Sequence, residues 1–270
     1  MGSSLKPTLC IALLLALGGT RGYLTAADPT VRRTLRILTY NIHHGEGMDG
    51  EFDLPRLAGV MTSVDPDLVA LQEVDQGTAR AGGMNELTEL GRLTGMHAVF
   101  GKAMDFQGGG YGVAVLSRWP IVHADNHALP GAPDREPRTA LTVDIAMGEH
   151  EPLLQFTSTH LDQGRDLGNR LAQAGYLNEL LSRGAAEPSI LAGDMNSRAD
   201  TEVMQILGEQ WADVFVDREP TGLGRSQRRV DYVLARPAGR WRTIDSRVVD
   251  APVASDHRPV LVVLEWIDNP

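Results

Sequence analysis

Residues 189–197 read SILAGDMNS. Ile190, Leu191 and Ala192 read as the end of a buried strand, and Gly193, Asp194, Met195 and Asn196 follow at once. In a strand, residues two apart face the same way, so Asp194 and Asn196 share one pocket if the extended geometry persists. Gly193 leaves room for something to approach the backbone. Taken alone the stretch reads better as a turn, because Gly, Asp, Asn and Ser are ordinary turn formers. What changes that balance is the company the stretch keeps.

Short apolar runs of strand character recur along the chain: LRILTYNI (35–42), LVALQEV (68–74), GVAVLSRW (112–119), ALTVDIAM (140–147), LLQFTSTH (153–160), SILAGDMN (189–196), VDYVLA (230–235) and PVLVVLEW (259–266). Several are bounded by Gly, Pro or Asp, as strand ends tend to be. Three segments between them carry helical spacing. DLPRLAGVMTSV (53–64) places Leu54, Leu57, Val60 and Met61 on one face, and GNRLAQAGYLNELLSR (168–183) does so with Leu171, Ala174, Leu177, Leu180 and Leu181. NELTELGRLTG (85–95) offers Asn85 as an N-cap and Gly95 as a terminator. Many strands with a few amphipathic helices predict a mixed α/β domain layered helix–sheet–sheet–helix.

Composition sets the bounds. The chain has 270 residues, 42% hydrophobic and 22% charged, an ordinary globular profile with length for a full core. Its start, MGSSLKPTLCIALLLALGGTRGYLTAAD, has Lys6, an apolar stretch Leu9–Leu17 and small residues before Asp28. That is the pattern of a cleaved signal peptide over residues 1–27, with an apolar stretch too short to span a bilayer comfortably. An exported protein, periplasmic or extracellular, is expected. No linker or low-complexity run divides residues 28–270, which read as one catalytic domain. Cys10 is the only cysteine, so the mature chain has no disulfide framework, thiolate nucleophile or zinc–thiolate cluster. Removing the leader takes away Lys6 and Arg21 and no acid, so the formal charge moves from −10 to −12. Such a chain has no general attraction for nucleic acid or anionic membrane, although local basic patches remain open to it. The arginines between Arg218 and Arg247, including GRSQRR (224–229), read mainly as solvated surface.

The polar residues of interest sit at strand ends: Asn41 in TYNI, Glu73 in LQEVD, His160 and Asp162 in THLD, Asp194 and Asn196 in GDMN, Asp231 in RVDYVL, and Asp256 with His257 in SDHRPV. Each alone is a turn residue or a strand meeting solvent. Together they supply oxygen ligands, two amides and two histidines without a cysteine, which suits Mg²⁺ or Mn²⁺ better than zinc. Such a set is equipped for phosphoester hydrolysis. A divalent ion neutralises phosphate and leaving oxygens, a carboxylate orients or deprotonates water, and a histidine fixed by an acid donates to the phosphate as charge builds.

TYNI, LQEV, GDMN and SDHRPV, in this order and across nearly all of the mature chain, resemble the endonuclease/exonuclease/phosphatase superfamily, in the form of a bacterial secreted member. The resemblance implies a four-layer α-β-β-α sandwich, two mainly antiparallel sheets packed face to face between helices, with the site at one edge. By motif, it implies that Asn41 and Glu73 lie at the metal, Glu73 as principal ligand, and that Asp256 supports a metal or the adjoining network. It implies that Asp194 positions or activates water, that Asn196 contacts the scissile phosphate, and that Asp231 fixes the tautomer of a phosphate-facing His257. His160 matches the second catalytic histidine of the deoxyribonuclease-like branch.

Other positions follow less directly. Tyr111, in GGGYGVAVLSRWPI, is read as a phosphate-facing residue or an aromatic packing residue, and Val113 stands where many relatives have Asn. Arg135 and Arg138 both resemble the family's arginine before the next strand, and Arg138 is preferred as the one that binds substrate. His43 and His44 belong to a solvated loop, a rim, or an adventitious metal site. Asp162 orients His160 or caps the following segment. The expected substrate is a phosphodiester, with nucleic acid, phospholipid and smaller diesters all open. The alternatives are a phosphomonoesterase of the same superfamily and a secreted binding protein on the same scaffold. No feature calls for an obligate protein partner, and a monomer is expected.

Overall fold

The computed structural model describes residues 1, 34–148, 152–182, 188–217, 219–223 and 227–267. Apart from Met1, the expected leader lies outside the described residues, as does part of the GRSQRR cluster. In chain order the elements are β1 (Thr34–Asn41), α1 (Leu54–Ser63), β2 (Leu68–Gln76), α2 (Glu86–Thr94), β3 (His97–Phe106), β4 (Gly109–Ser117), β5 (Ile121–Ala128) and β6 (Thr139–Ile145). There follow β7 (Leu154–His160), α3 (Gly168–Leu181), β8 (Ser189–Asp194), α4 (Glu202–Gly208), β9 (Ala212–Asp213), β10 (Asp231–Arg236), β11 (Trp241–Val248) and β12 (Val260–Trp266).

The strands form two six-stranded sheets, ordered β11-β12-β1-β2-β4-β3 and β5-β6-β7-β8-β10-β9. Each sheet has one parallel pair, β1 with β2 and β7 with β8, and its other pairs are antiparallel. A parallel pair needs a crossover, and α1 and α3 provide them.

Alternation along the strands builds the layers. In β1, Ile37 enters the core between the sheets, while Leu38 and Tyr40 face α1 and α2. In β8, Ile190 and Ala192 face the inter-sheet core and Leu191 faces α3 and α4. Both faces of each sheet are therefore covered, as the helix–sheet–sheet–helix expectation requires. The helix ends follow the local sequence. Asp53 caps α1 by accepting from Arg56 N at 2.9 Å, and Asn85 caps α2 by accepting from Thr88 N at 3.0 Å. Gly95 closes α2 in the left-handed conformation at φ 69°. The buried stripe of α1 is Leu54, Leu57, Ala58 and Met61, with Val60 half-buried at its margin.

Candidate active site

Strand direction gathers the polar residues. The parallel strands β1 and β2, like β7 and β8, finish at one edge, bringing Asn41, Glu73, His160 and Asp194 there. The antiparallel β10 and β12 enter at that edge, so Asp231 stands in register with Asp194, and Asp256–His257 just precede the start of β12.

At the end of β8 the chain does not stay extended. Asn196 is left-handed at φ 47°, so Asp194 and Asn196 come together through a turn rather than through strand periodicity. The Asn196 backbone N–H donates to Asp194 Oδ1 at 2.8 Å, and its side-chain amide lies 3.0 Å from His160 Nε2 and donates to Leu161 O at 3.0 Å. Gly193 has the role of a close approach, as expected. A Cβ there would sit 1.9 Å from Thr159 O, so the neighbour that needs the space is β7.

Glu73 is aimed by a β-bulge. The register between β2 and β4 shifts across Gln72/Val74, and Glu73 takes φ 57°, a conformation that a non-glycine residue adopts only where the surroundings enforce it. Its Oε1 accepts from Asn41 Nδ2 at 2.9 Å, and among the described residues its second oxygen accepts no hydrogen bond. Asn41 is fully buried; its amide also reaches Asp194 Oδ2 at 3.4 Å and its Oδ1 accepts from His43 N at 3.1 Å. Asp256 is half-buried, with Ser255 Oγ 3.5 Å from its Oδ1. Glu73, with a carboxylate oxygen to spare beside the buried Asn41 amide, offers the hard oxygen chemistry that suits a divalent cation such as Mg²⁺ or Mn²⁺.

Around Asp194 lie two histidines and the Asp231 carboxylate. His257 Nδ1 donates to Asp231 Oδ2 at 2.8 Å, leaving Nε2 3.7 Å from Asp194 Oδ2. Burial opposes the imidazolium, but the carboxylates of Asp231, Asp194 and Asp256 outweigh it and hold the His257 pKa up at about 10. Asp194, fully enclosed, is pushed upward by burial and by the charge of Asp231, with His257 opposing. His160 behaves oppositely. Burial, then Arg138 and His257, drives its pKa well below the ordinary value and keeps it neutral. Arginine is a permanent donor, so His160 Nδ1 accepts from Arg138 NH1 at 2.9 Å, and its Nε2 lies 3.5 Å from Asp194 Oδ2. One carboxylate oxygen is thus flanked by a cationic and a neutral histidine.

The secondary positions separate. Arg138 is buried against His160 and lies 2.9 Å from Glu136 Oε1, so it belongs to the site. Arg135 instead binds Asp162 at 3.0 Å. Asp162 makes no bond to His160. It accepts from Gly164 N at 3.0 Å and Asn169 Nδ2 at 2.8 Å, anchoring the segment that leads into α3. Tyr111 is buried, and burial with the negative charge of Glu73 and Glu136 raises its phenol pKa. Val113 packs in the inter-sheet core.

Three contributors escaped sequence reasoning. Ser255 donates to Asn41 O at 2.7 Å and accepts from His257 N at 3.2 Å, tying β1 to the His257 loop. Thr221 Oγ1 accepts from Asp231 N at 3.2 Å. Glu136 meets Arg138. The spacing of Ser255 two residues before His257 was the available signal for the first; the other two carried none.

The pattern of the Endonuclease/Exonuclease/phosphatase family matches residues 38–257. YbhP of Escherichia coli (strain K12), an uncharacterized protein, is 30% identical over 184 residues, 63% of this chain and 69% of its own. An endonuclease/exonuclease/phosphatase from Beutenbergia cavernae superposes with a TM-score of 0.74 at 25% identity, covering 87% of this chain and 72% of that one. A mannosyl-6-phosphatase from Bacteroides thetaiotaomicron does so with a TM-score of 0.67 at 18% identity, over 85% of this chain and 99% of that one. This last likeness is one of fold.

Proposed function

The chain belongs to the Endonuclease/Exonuclease/phosphatase family of hydrolases, and from that premise we propose that it is an exported, divalent-cation-dependent phosphodiesterase. The observation that carries the reading is the Asp194 carboxylate, whose Oδ2 lies 3.5 Å from His160 Nε2 and 3.7 Å from His257 Nε2, linked through the Asn41 amide to the Glu73 carboxylate.

Asp194 is the group that orients the attacking water and takes its proton. Its upward-shifted pKa makes it a stronger base than an ordinary carboxylate. His257, locked by Asp231 through Nδ1 with Nε2 beside Asp194 Oδ2, donates to the phosphate as charge accumulates. Neutral His160 and Asn196 adjoin the scissile group, and Arg138 holds His160 through Nδ1 from behind. A cation held by Glu73, with Asn41 and Asp256, would neutralise charge on the phosphate and the leaving oxygen. The mature domain is assigned to residues 28–270, acting as a monomer.

The test is hydrolysis of a bis-aryl phosphodiester beside the aryl phosphomonoester, with Mg²⁺ or Mn²⁺ and then with EDTA, followed by plasmid DNA and phospholipid. Cation-dependent cleavage of a diester supports the reading. Cleavage of the monoester alone moves it to a phosphatase, and activity that survives EDTA removes the cation from it. Silence on the whole panel favours the binding-protein alternative. Export is tested separately, by N-terminal sequencing of the released protein for a start at Asp28.

A further inference from the structure

The loop that leaves β1 reads IHHGEGMDGEFD, residues 42–53, and the functional reading above gives its two histidines no task. His43 and His44 both take left-handed backbone conformations, φ 46° and 43°, and Gly45 follows at φ 81°. Consecutive non-glycine residues in this region are strained, and such strain persists only where the surroundings fix it. Here they do. Glu46 N donates to His43 O at 2.9 Å, Asp53 N to Gly45 O at 3.0 Å, and Met48 N to Val253 O at 2.8 Å. Gly45 itself lies against the Phe52 ring, where a Cβ would come within 2.4 Å.

This backbone turns both imidazoles toward Glu73. A ring nitrogen of His43, one of His44 and a carboxylate oxygen of Glu73 all lie within 4.8 Å of one another. Glu46 lies beside both rings. His43 Nδ1 lies 3.1 Å from Glu46 O, and His44 Nε2 lies 3.6 Å from the Glu46 carboxylate. The N–H that His43 gives to this carbonyl fixes its tautomer and leaves its opposite nitrogen with the lone pair free, as in metal-binding histidines generally. On His44, Nδ1 is buried and has no hydrogen-bond partner among the described residues. Arg80, whose charge reaches both His44 and Glu73, is already neutralised by Asp75 through bonds of 2.6 and 2.9 Å.

We propose that His43, His44 and Glu73 form a second divalent-cation site, of the borderline class that includes Zn²⁺, adjoining the oxygen-lined site and sharing Glu73 with it. Imidazole ligands suit Zn²⁺ and its first-row neighbours and not Mg²⁺. Two histidines and one glutamate are a donor set that leaves zinc an open coordination position. The Glu46 carbonyl holds the His43 ring, and the Glu46 carboxylate lies beside His44. The site stands on the geometry of this loop and does not depend on the phosphodiesterase reading.

The experiment is calorimetric titration of the EDTA-treated, dialysed protein with Zn²⁺ alone, reading affinity rather than turnover. Asparagine tolerates left-handed backbone better than most residues, so His43→Asn combined with His44→Asn keeps the loop conformation without the imidazoles. The expected result is a zinc site weakened at least about 100-fold in this double variant, with thermal unfolding temperatures at or above that of the parent. Unchanged affinity in the double variant overturns the proposal. So does a zinc site that survives there and disappears in His257→Gln, which would place the ion at Asp194, Asp231 and His257, the other cluster of mutually close ligand atoms.

Discussion

Replacing Glu86 by glutamine should stabilise the protein at neutral and alkaline pH by an amount that grows with pH. Glu86 opens α2 and is fully buried; its Oε2 accepts from Asp75 N at 2.8 Å, and its Oε1 is enclosed without a partner. Burial pushes its pKa from 4.5 up to about 8; the Asp75 N–H and Arg80 oppose this, and the Asp75 carboxylate reinforces it. The folded protein therefore keeps this proton where the unfolded chain has lost it. The stabilising contribution is fully present below pH 4.5 and is lost as pH rises through about 8.

At about 1.4 kcal/mol per pH unit, the loss amounts to roughly 3 kcal/mol at pH 7 and roughly 5 kcal/mol above pH 8. That is a large share of the ~5–15 kcal/mol by which domains are stable. A glutamine in place of Glu86 would keep an acceptor for Asp75 N and set an NH₂ where the carboxylic O–H stands, without a proton to lose. Urea unfolding of parent and Glu86→Gln at pH 5, 7 and 8.5 is the assay. With a slope of about 3 kcal/mol per molar, the midpoints should be close at pH 5 and separate by about 1.5 M at pH 8.5. Curves that stay parallel across this range, or a variant less stable throughout, refute the argument that burial governs Glu86.

Asp194→Asn should reduce turnover by at least about 100-fold, the usual scale for a general base, while circular dichroism and the unfolding temperature stay native-like; an unfolded variant would assign Asp194 to structure. Asp231→Asn removes the charge that holds the His257 pKa at about 10, so the alkaline limb of the pH–rate profile should move to lower pH, and an unmoved limb removes His257 as the cationic donor. Ser255→Ala leaves Asn41 O and His257 N without their shared hydroxyl and should cost about 1–3 kcal/mol of stability by urea unfolding; a change near zero would mean that water replaces it.

The strands legible in the sequence and those that were not divide by position. All eight apolar runs became interior strands. The strands without such a run, β3, β5, β9 and β11, are the four sheet edges. β5 reads IVHADNHA and is exposed along most of its length, because only one side of an edge strand is paired and its polar side chains discourage further pairing. Burial on both faces writes a hydrophobic run, and exposure at an edge erases it. The short α4 was likewise silent, since about two turns give too little periodicity to read.

The same logic explains why the site was legible as types and not as geometry. Asn41, His160 and Asp194 end the central strands β1, β7 and β8, so each follows an apolar run and stands out. What the runs cannot encode is how the chain turns after them. Glu73 leaves the pleat at a bulge, Asn196 at a left-handed turn, and His43 and His44 at a left-handed pair. All four are non-glycine residues with positive φ, in a sequence that elsewhere turns mostly on glycine, as at Gly77, Gly82 and Gly95. An asparagine, a glutamate and two histidines kept in strained backbone at one edge indicate that the side chain, and not the turn, is what these positions require. By that criterion the histidine pair belongs with Glu73 and Asn196, in keeping with the cation site proposed for it.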